Sequence, residues 1–173
     1  MEATEPGVSL RIVVAWGDMD ALGHVNNTVY LRWFESARIA WWERIAPAVG
    51  ASEPLAADLG PSAHSIGPIG PSAHSIGSIG PSAHSIGPIG PILARTTIDY
   101  RRPVRYPDTV EVRVTARRIG GKSVTLGYEV TSSAQDGAVV AEGETVIVMY
   151  DYRRGTPVPI DDTVREAMQR GGG

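Results

Sequence analysis

Hydrophobic and polar positions alternate from Ser9 to Trp16. Leu10, Ile12, Val14 and Trp16 point one way, and Arg11, Val13 and Ala15 the other, the period-two signature of a strand. The pattern then changes period. From about Thr28 to Ile45, Tyr30, Phe34, Ala37, Trp41 and Ile45 recur at spacings of three and four, which predicts a helix. Val29, Trp33, Ala40 and Trp42 widen its apolar stripe beyond that of an ordinary surface helix, so it requires cover on most sides. Ala46-Pro47 and Gly50 end it. After residue 90 the period returns to two. Strands are predicted at Ile92–Tyr100, Thr109–Ile119, Ser123–Ser132 and Ala138–Tyr152. Gly120-Gly121 and Asp136-Gly137 read as two-residue hairpin turns. Val110, Val112, Val114 and Ala116 oppose Glu111, Arg113, Thr115 and Arg117, which gives a sheet with one wet face. Thr145–Tyr150 is apolar on both faces, as a central strand would be. A short terminal helix follows over Asp161–Arg170, capped by Asp161 or Asp162.

One strand, one long apolar helix and four antiparallel strands make an α+β layer architecture. The economical packing wraps a curved antiparallel β-sheet around a long central α-helix.

The tract from residue 60 to 89 fits neither period. It is GPSAHSIGPI repeated three times, with Ser78 as the one change. It holds six of the 20 Gly, five of the 13 Pro, three of the four His and no charge. Solenoid repeats are longer and carry an apolar face to stack, which this unit lacks. Pro and Gly prevent a sustained helix and interrupt a ladder. The tract therefore reads as an expanded linker or loop inserted in a single domain spanning 1–173. A lid over a binding site is a second reading. A metal site from His64, His74 and His84 is the least supported, because a flexible spacing of ten fixes no ligand geometry. Setting the tract aside leaves about 143 residues, enough for a real core.

Composition narrows the class. With no cysteine there is no disulfide, no thiolate zinc site and no thiol nucleophile. A formal net charge of −3 argues against nucleic acid as the partner. The acidic start MEATEPGVSL lacks a signal peptide's basic and apolar regions. The most apolar long segment, 28–46, carries Arg32, Glu35, Arg38, Glu43 and Arg44, too many charges to span a membrane. A cytoplasmic location is expected.

The chemistry concentrates between the first strand and the helix. Asp18, Asp20, His24, Asn26 and Asn27 fall within ten residues. A carboxylate there could attack a carbonyl carbon or activate water. The free N–H groups at the helix start, near Asn27 and Thr28, could polarise a carbonyl oxygen. Taken singly, each residue also has a structural role to play. Asp18 and Asp20 can form turns, His24 can hydrogen-bond a turn, and Asn26 or Asn27 can cap the helix.

The run D18-x-D-x-x-G-H-V-N-N-x-x-Y-x-x-W-x-E-x-A-R38 resembles the signature of the hotdog-fold acyl-CoA thioesterases, the 4-hydroxybenzoyl-CoA thioesterase-like family. I98-D-Y-R-R-P-V-R-Y-P-D108, R117-R-I-G-G-K-S123 and A141-E-G-E-T-V-I-V-M-Y-D151 are similar to later parts of that family. The resemblance covers residues 8–46 and 90–162. It implies the hotdog fold, an acyl-CoA substrate, no cofactor or metal, and a homodimer or dimer of dimers with active sites at the interface. It assigns Asp20 as nucleophile or general base. It places Asn27 at the helix start, where a backbone N–H polarises the thioester carbonyl. His24 would position water or substrate. Tyr30 would line the acyl pocket, and Asn26 would be a further substrate-binding residue. Glu35 matches a helix carboxylate that some branches use, although its spacing also suits an ion pair with Arg38 or Arg32. Plant acyl-carrier-protein thioesterases with the same H-V-N-N run have Asn where this chain has Leu22, so their Asn-based mechanism is not carried over. A binding protein without turnover and a hotdog dehydratase are the competing functions.

A coenzyme A substrate also brings phosphates. Arg101, Arg102, Arg105, Arg117, Arg118, Lys122, Arg153 and Arg154 are the available cations. Each has the alternative of a solvated charge guarding a sheet edge.

Overall fold

The computed structural model describes residues 7–45 and 89–171. The repeat tract, its three histidines and the Ala46-Pro47 helix stop lie outside the described residues, except that Ile89, the tract's last residue, opens a strand. The described chain forms β1 (Gly7–Val13), α1 (Asn27–Ile45), β2 (Ile89–Tyr100), β3 (Thr109–Ile119), β4 (Ser123–Ser132), β5 (Ala138–Asp151), β6 (Thr156–Pro157) and α2 (Asp162–Gln169). The strands make one antiparallel sheet in the order β1-β3-β4-β5-β2, with β6 paired to β5.

The helix is where the apolar period places it. Tyr30, Phe34, Ala37, Trp41 and Ile45 are all buried, and so are the widening residues Val29, Trp33 and Trp42. The concave face of the sheet receives them. Val110, Val112 and Val114 of β3, Val124, Leu126 and Tyr128 of β4, and Ile147 and Met149 of β5 are buried in the same core. The Phe34 ring stacks on Tyr128 with centroids 4.2 Å apart and planes 9° from parallel. Gly143 of β5 makes that approach possible. A Cβ there would lie 2.6 Å from Phe34 Cε2 and would collide with the Thr97 carbonyl oxygen. The helix thus rests on the sheet where one strand offers no side chain, an α+β layer packing wrapped on one helix.

Thr145–Tyr150 belongs to β5, an interior strand as its two-sided apolar run requires. Three local expectations change. Trp16 lies outside β1, in a short 3₁₀ turn over Trp16–Asp18, and is 77% exposed. The turn residue Gly17 behind it breaks the alternation that Trp16 extends. Thr115, expected on the wet face, is buried; it pairs across the ladder with Gly7, which has no side chain to hold it open. The hairpin connections are longer than two residues. β3 joins β4 through 120–122, closed by Gly120 N–H donating to the Ser123 carbonyl at 2.7 Å. β4 joins β5 through 133–137, where a 3₁₀ turn precedes Asp136 and Gly137, both at positive φ.

Asp108 fastens the open end of the sheet. Its buried carboxylate accepts from Thr109 N (2.7 Å), Ala134 N (2.9 Å) and the Ser132 hydroxyl, while its carbonyl accepts from Val14 N at 3.0 Å. The end of β1, the start of β3 and the 132–134 stretch therefore converge on one residue beside the loop that precedes α1. At the other end Asp161 caps α2 by accepting from Val164 N at 2.8 Å.

Candidate active site

Asp20 opens a tight turn. Gly23 N–H donates to its carbonyl at 3.1 Å, and its own N–H donates to the His24 carbonyl at 2.9 Å. Gly23 has φ +78°, a conformation that a side chain would strain. Asp20 Oδ1 accepts from Leu22 N at 2.8 Å, the local bond that makes Asp a turn-former. Its other oxygen, Oδ2, lies 3.4 Å from His24 Nδ1. That ring nitrogen is also 3.4 Å from the Val25 carbonyl, so both contacts are long. The turn has both its structural role and a carboxylate oxygen left for chemistry.

The turn is pinned on both sides. Met19 and Val25 bridge as a minimal antiparallel pair. Val25 N–H donates to the Val104 carbonyl at 2.8 Å, and Asn26 N–H to the Asp18 carbonyl at 2.8 Å. Asp18 spends its side chain on structure: Oδ2 accepts from Ala15 N at 2.9 Å and Oδ1 meets Arg32 Nη2 at 2.7 Å. That fixes the turn to the first turns of α1.

Asn26 is the helix cap. Its Oδ1 accepts from Thr28 N at 2.9 Å and from the Thr28 hydroxyl at 2.8 Å, and its carbonyl accepts from Val29 N at 2.9 Å. Asn27 is the first helical residue. Neither capping bond uses its N–H, which has the partial positive charge of a helix start.

Asp20, His24, Asn27 and Tyr30 line one pocket of about 390 Å³. Four of the six residues singled out from the sequence are thus brought together. Asn26 stands beside them as the cap. Glu35 does not line this pocket; it points outward and pairs with Arg38 at 3.8 Å. Arg32 is taken by Asp18 instead.

The opposite wall comes from the end of β2 and the segment after it: Tyr100, Arg101, Arg102 and Pro103. Tyr100 donates from its hydroxyl to the Asn27 carbonyl at 3.1 Å. Its ring meets Tyr30 edge-on at 5.1 Å. Tyr30 is buried, which pushes its phenol up to about 12, with Tyr100 adding to the rise. It is therefore a neutral hydroxyl at any ordinary pH. Nothing in the local sequence assigns Tyr100 or Pro103 a role. Their only signal was position in the I98-D-Y-R-R-P run, since residues 73 apart share no local pattern.

Among the described residues no group of three or more His, Asp or Glu could hold a metal, and no helix is long and apolar enough to cross a membrane.

The chain is similar to known proteins in family and in fold. The family profile of the thioesterase-like superfamily matches residues 14–168. A thioesterase of Thermus thermophilus, solved with coenzyme A and Zn, is 27% identical; the match covers 100% of this chain and 98% of that one, with a TM-score of 0.66. The PA2801 protein of Pseudomonas aeruginosa is also 27% identical, over 92% of this chain and 95% of that one, with a TM-score of 0.64. The DHNA-CoA thioesterase of Staphylococcus aureus shares the fold at 15% identity, over 90% and 81% of the two chains, with a TM-score of 0.62. No curated protein matches the chain. A profile that spans α1, the pocket and every strand from β2 onward decides the matter: the chain is a hotdog-fold thioester hydrolase of the thioesterase-like superfamily.

Proposed function

We propose that the protein hydrolyses acyl-CoA thioesters to a free acid and coenzyme A, with Asp20 as the reacting carboxylate. The observation that carries this reading is the shared pocket. Asp20 and the α1 start at Asn27 line the same 390 Å³ space, so one thioester can meet both. The Asn27 N–H polarises the carbonyl and takes up charge as the tetrahedral intermediate forms. Asp20 either removes a proton from water, which adds to the carbonyl carbon, or adds to that carbon itself and is later freed by water. In the first route the tetrahedral intermediate collapses with cleavage of the C–S bond, and the thiolate takes back the proton that Asp20 drew from water. In the second the C–S bond breaks first, which leaves an anhydride between the acyl group and Asp20; water then hydrolyses it, and the two protons go to the thiolate and to the bulk. His24, at 3.4 Å from Asp20, orients the carboxylate or the water. Tyr30 contributes a neutral wall to the acyl end.

The active unit is proposed to be a homodimer or dimer of dimers. β2 is an edge strand, and Ile89, Ile92 and Leu93 on it are exposed. An apolar edge that no described strand covers is a pairing surface, and a second copy would extend the sheet.

The test is thiol release over a panel of acyl-CoAs of varied chain length. The Asp20→Asn variant keeps the side-chain acceptor for Leu22 N, so its fold is expected to persist. Its rate is expected to fall by about 10²–10⁴. Full activity in that variant would sink the mechanism. The His24–Asp20 pair would also suit proton transfer at a β-hydroxyacyl group, the dehydratase reading. An enoyl product without thiol release would favour that reading.

A further inference from the structure

One cation of the pocket has no carboxylate beside it among the described residues. Two arginines line the pocket, Arg101 and Arg102. Arg101 is committed: its Nε meets Glu142 Oε2 at 3.0 Å and its Nη2 lies 3.7 Å from Asp99. Arg102 is exposed and has no carboxylate partner among the described residues. Its backbone is nonetheless held. The N–H groups of Arg101 and Arg102 both donate to the Val140 carbonyl, at 2.8 and 3.1 Å. The next residue, Pro103, has its carbonyl bonded by Gln135 Nε2 at 3.1 Å, and Val104 after it is fully buried. A fixed main chain thus carries this guanidinium to the rim of the pocket that holds Asp20. A planar fork with unspent donors suits a phosphate or carboxylate oxygen pair.

We infer that Arg102 is an anion subsite of the pocket, and that the anion it takes is a phosphate of the substrate's carrier. The inference rests on the acyl-CoA reading above. Position selects the phosphate over an acyl carboxylate. The pocket's buried members, Val25 and Tyr30, are apolar or neutral and suit the acyl group, whereas Arg102 is exposed, on the solvent side of a pocket of about 390 Å³ that is too small to enclose a whole coenzyme A. Arg102 touches no reacting atom in this arrangement; it binds and steers.

Arg102→Ala is compared with the wild type and with Arg11→Ala, an exposed arginine on β1 that lines no part of the pocket. Calorimetry measures coenzyme A and pantetheine. Kinetics measure a neutral acyl-CoA and its N-acetylcysteamine thioester, which lacks phosphate. Arg102→Ala is expected to weaken coenzyme A, and to lower kcat/KM for acyl-CoA through KM, by about ten- to a hundredfold. Pantetheine and the truncated thioester should be unaffected. The salt dependence of the acyl-CoA reaction should flatten in the same variant. Equal losses on both thioesters, or equal losses in Arg11→Ala, would overturn the subsite. So would a loss confined to an N-acetylcysteamine thioester of a dicarboxylic acid, which would assign the anion to the acyl group. Hydrolysis unchanged by Arg102→Ala rejects the subsite and keeps the hydrolase. Coenzyme A binding that weakens in Arg102→Ala, with no thioester turned over, keeps the subsite and rejects the hydrolase.

Discussion

The Tyr100 hydroxyl donates to the Asn27 carbonyl across 3.1 Å, joining the end of β2 to the first residue of α1. The bond ties the sheet edge to the helix start that is proposed to polarise the thioester. A polarising N–H acts only if its direction is fixed before the reaction. Tyr100→Phe removes the hydroxyl and keeps the edge-on ring contact with Tyr30. A neutral hydrogen bond contributes about 1 kcal/mol, so kcat is expected to fall by roughly fivefold with KM little changed. Steady-state kinetics check this. A loss expressed wholly in KM would place Tyr100 in substrate binding and not in helix positioning.

Asn26 holds the same helix start by capping. Asn26→Ala removes the acceptor of two bonds, from Thr28 N and the Thr28 hydroxyl. The expected cost is about 1 kcal/mol of stability, within the roughly 0.5–2 kcal/mol of lost N-caps. Denaturant unfolding measures it. Asn26→Asp or Asn26→Ser should retain most of the stability, because either oxygen can accept the Thr28 N–H. If alanine and serine were equally damaging, the side chain's role would be something other than a cap.

Much of this fold can be read locally. The helix period locates α1 to within one residue, and β3 and β4 fall where alternation puts them. Those elements bury an apolar face, and burial writes a period into the chain. Asp20, His24, Asn27 and Tyr30 are legible for a different reason: they crowd one short segment. The opposite wall is not. Tyr100 is chosen by a hydroxyl bond to a residue 73 positions away, and Asp108 by its bonds to other segments. Such contacts leave no spacing to detect. Trp16 shows the converse error: an aromatic in regular alternation continues the strand on paper, while the chain has already turned at Gly17.

Tyr30 offers a test through pH. Its phenol is raised from 10.0 to about 12 by burial and by Tyr100 beside it. The unfolded chain therefore releases this proton first as pH rises. The stabilisation from keeping the neutral phenol is complete below about pH 10 and is lost as pH climbs to about 12. Tyr30→Phe has no proton to lose there. Its stability should decline less steeply across that window, as urea midpoints at stepped pH would reveal. Parallel declines in both proteins would mean that other tyrosines, such as buried Tyr128, dominate the alkaline limb.

Gly143 makes the sharpest claim about packing. A Cβ at this position would lie 2.6 Å from Phe34 Cε2 and closer still to the Thr97 carbonyl oxygen. The phenyl ring could tilt, but it is stacked on Tyr128 at 4.2 Å. The carbonyl cannot withdraw without disturbing the β2–β5 ladder, in which Ile98 opposes Gly143. Gly143→Ala is therefore expected to cost about 1–3 kcal/mol, the usual penalty of overpacking. At this chain length each kcal/mol lowers the thermal midpoint by about 2–4 °C. Adding Phe34→Leu should relieve the ring clash and leave the carbonyl clash. The double variant should then recover less than the double-mutant cycle would give if the ring were the only obstacle. A Gly143→Ala protein as stable as the wild type would show that α1 rests on the sheet less closely than these distances require.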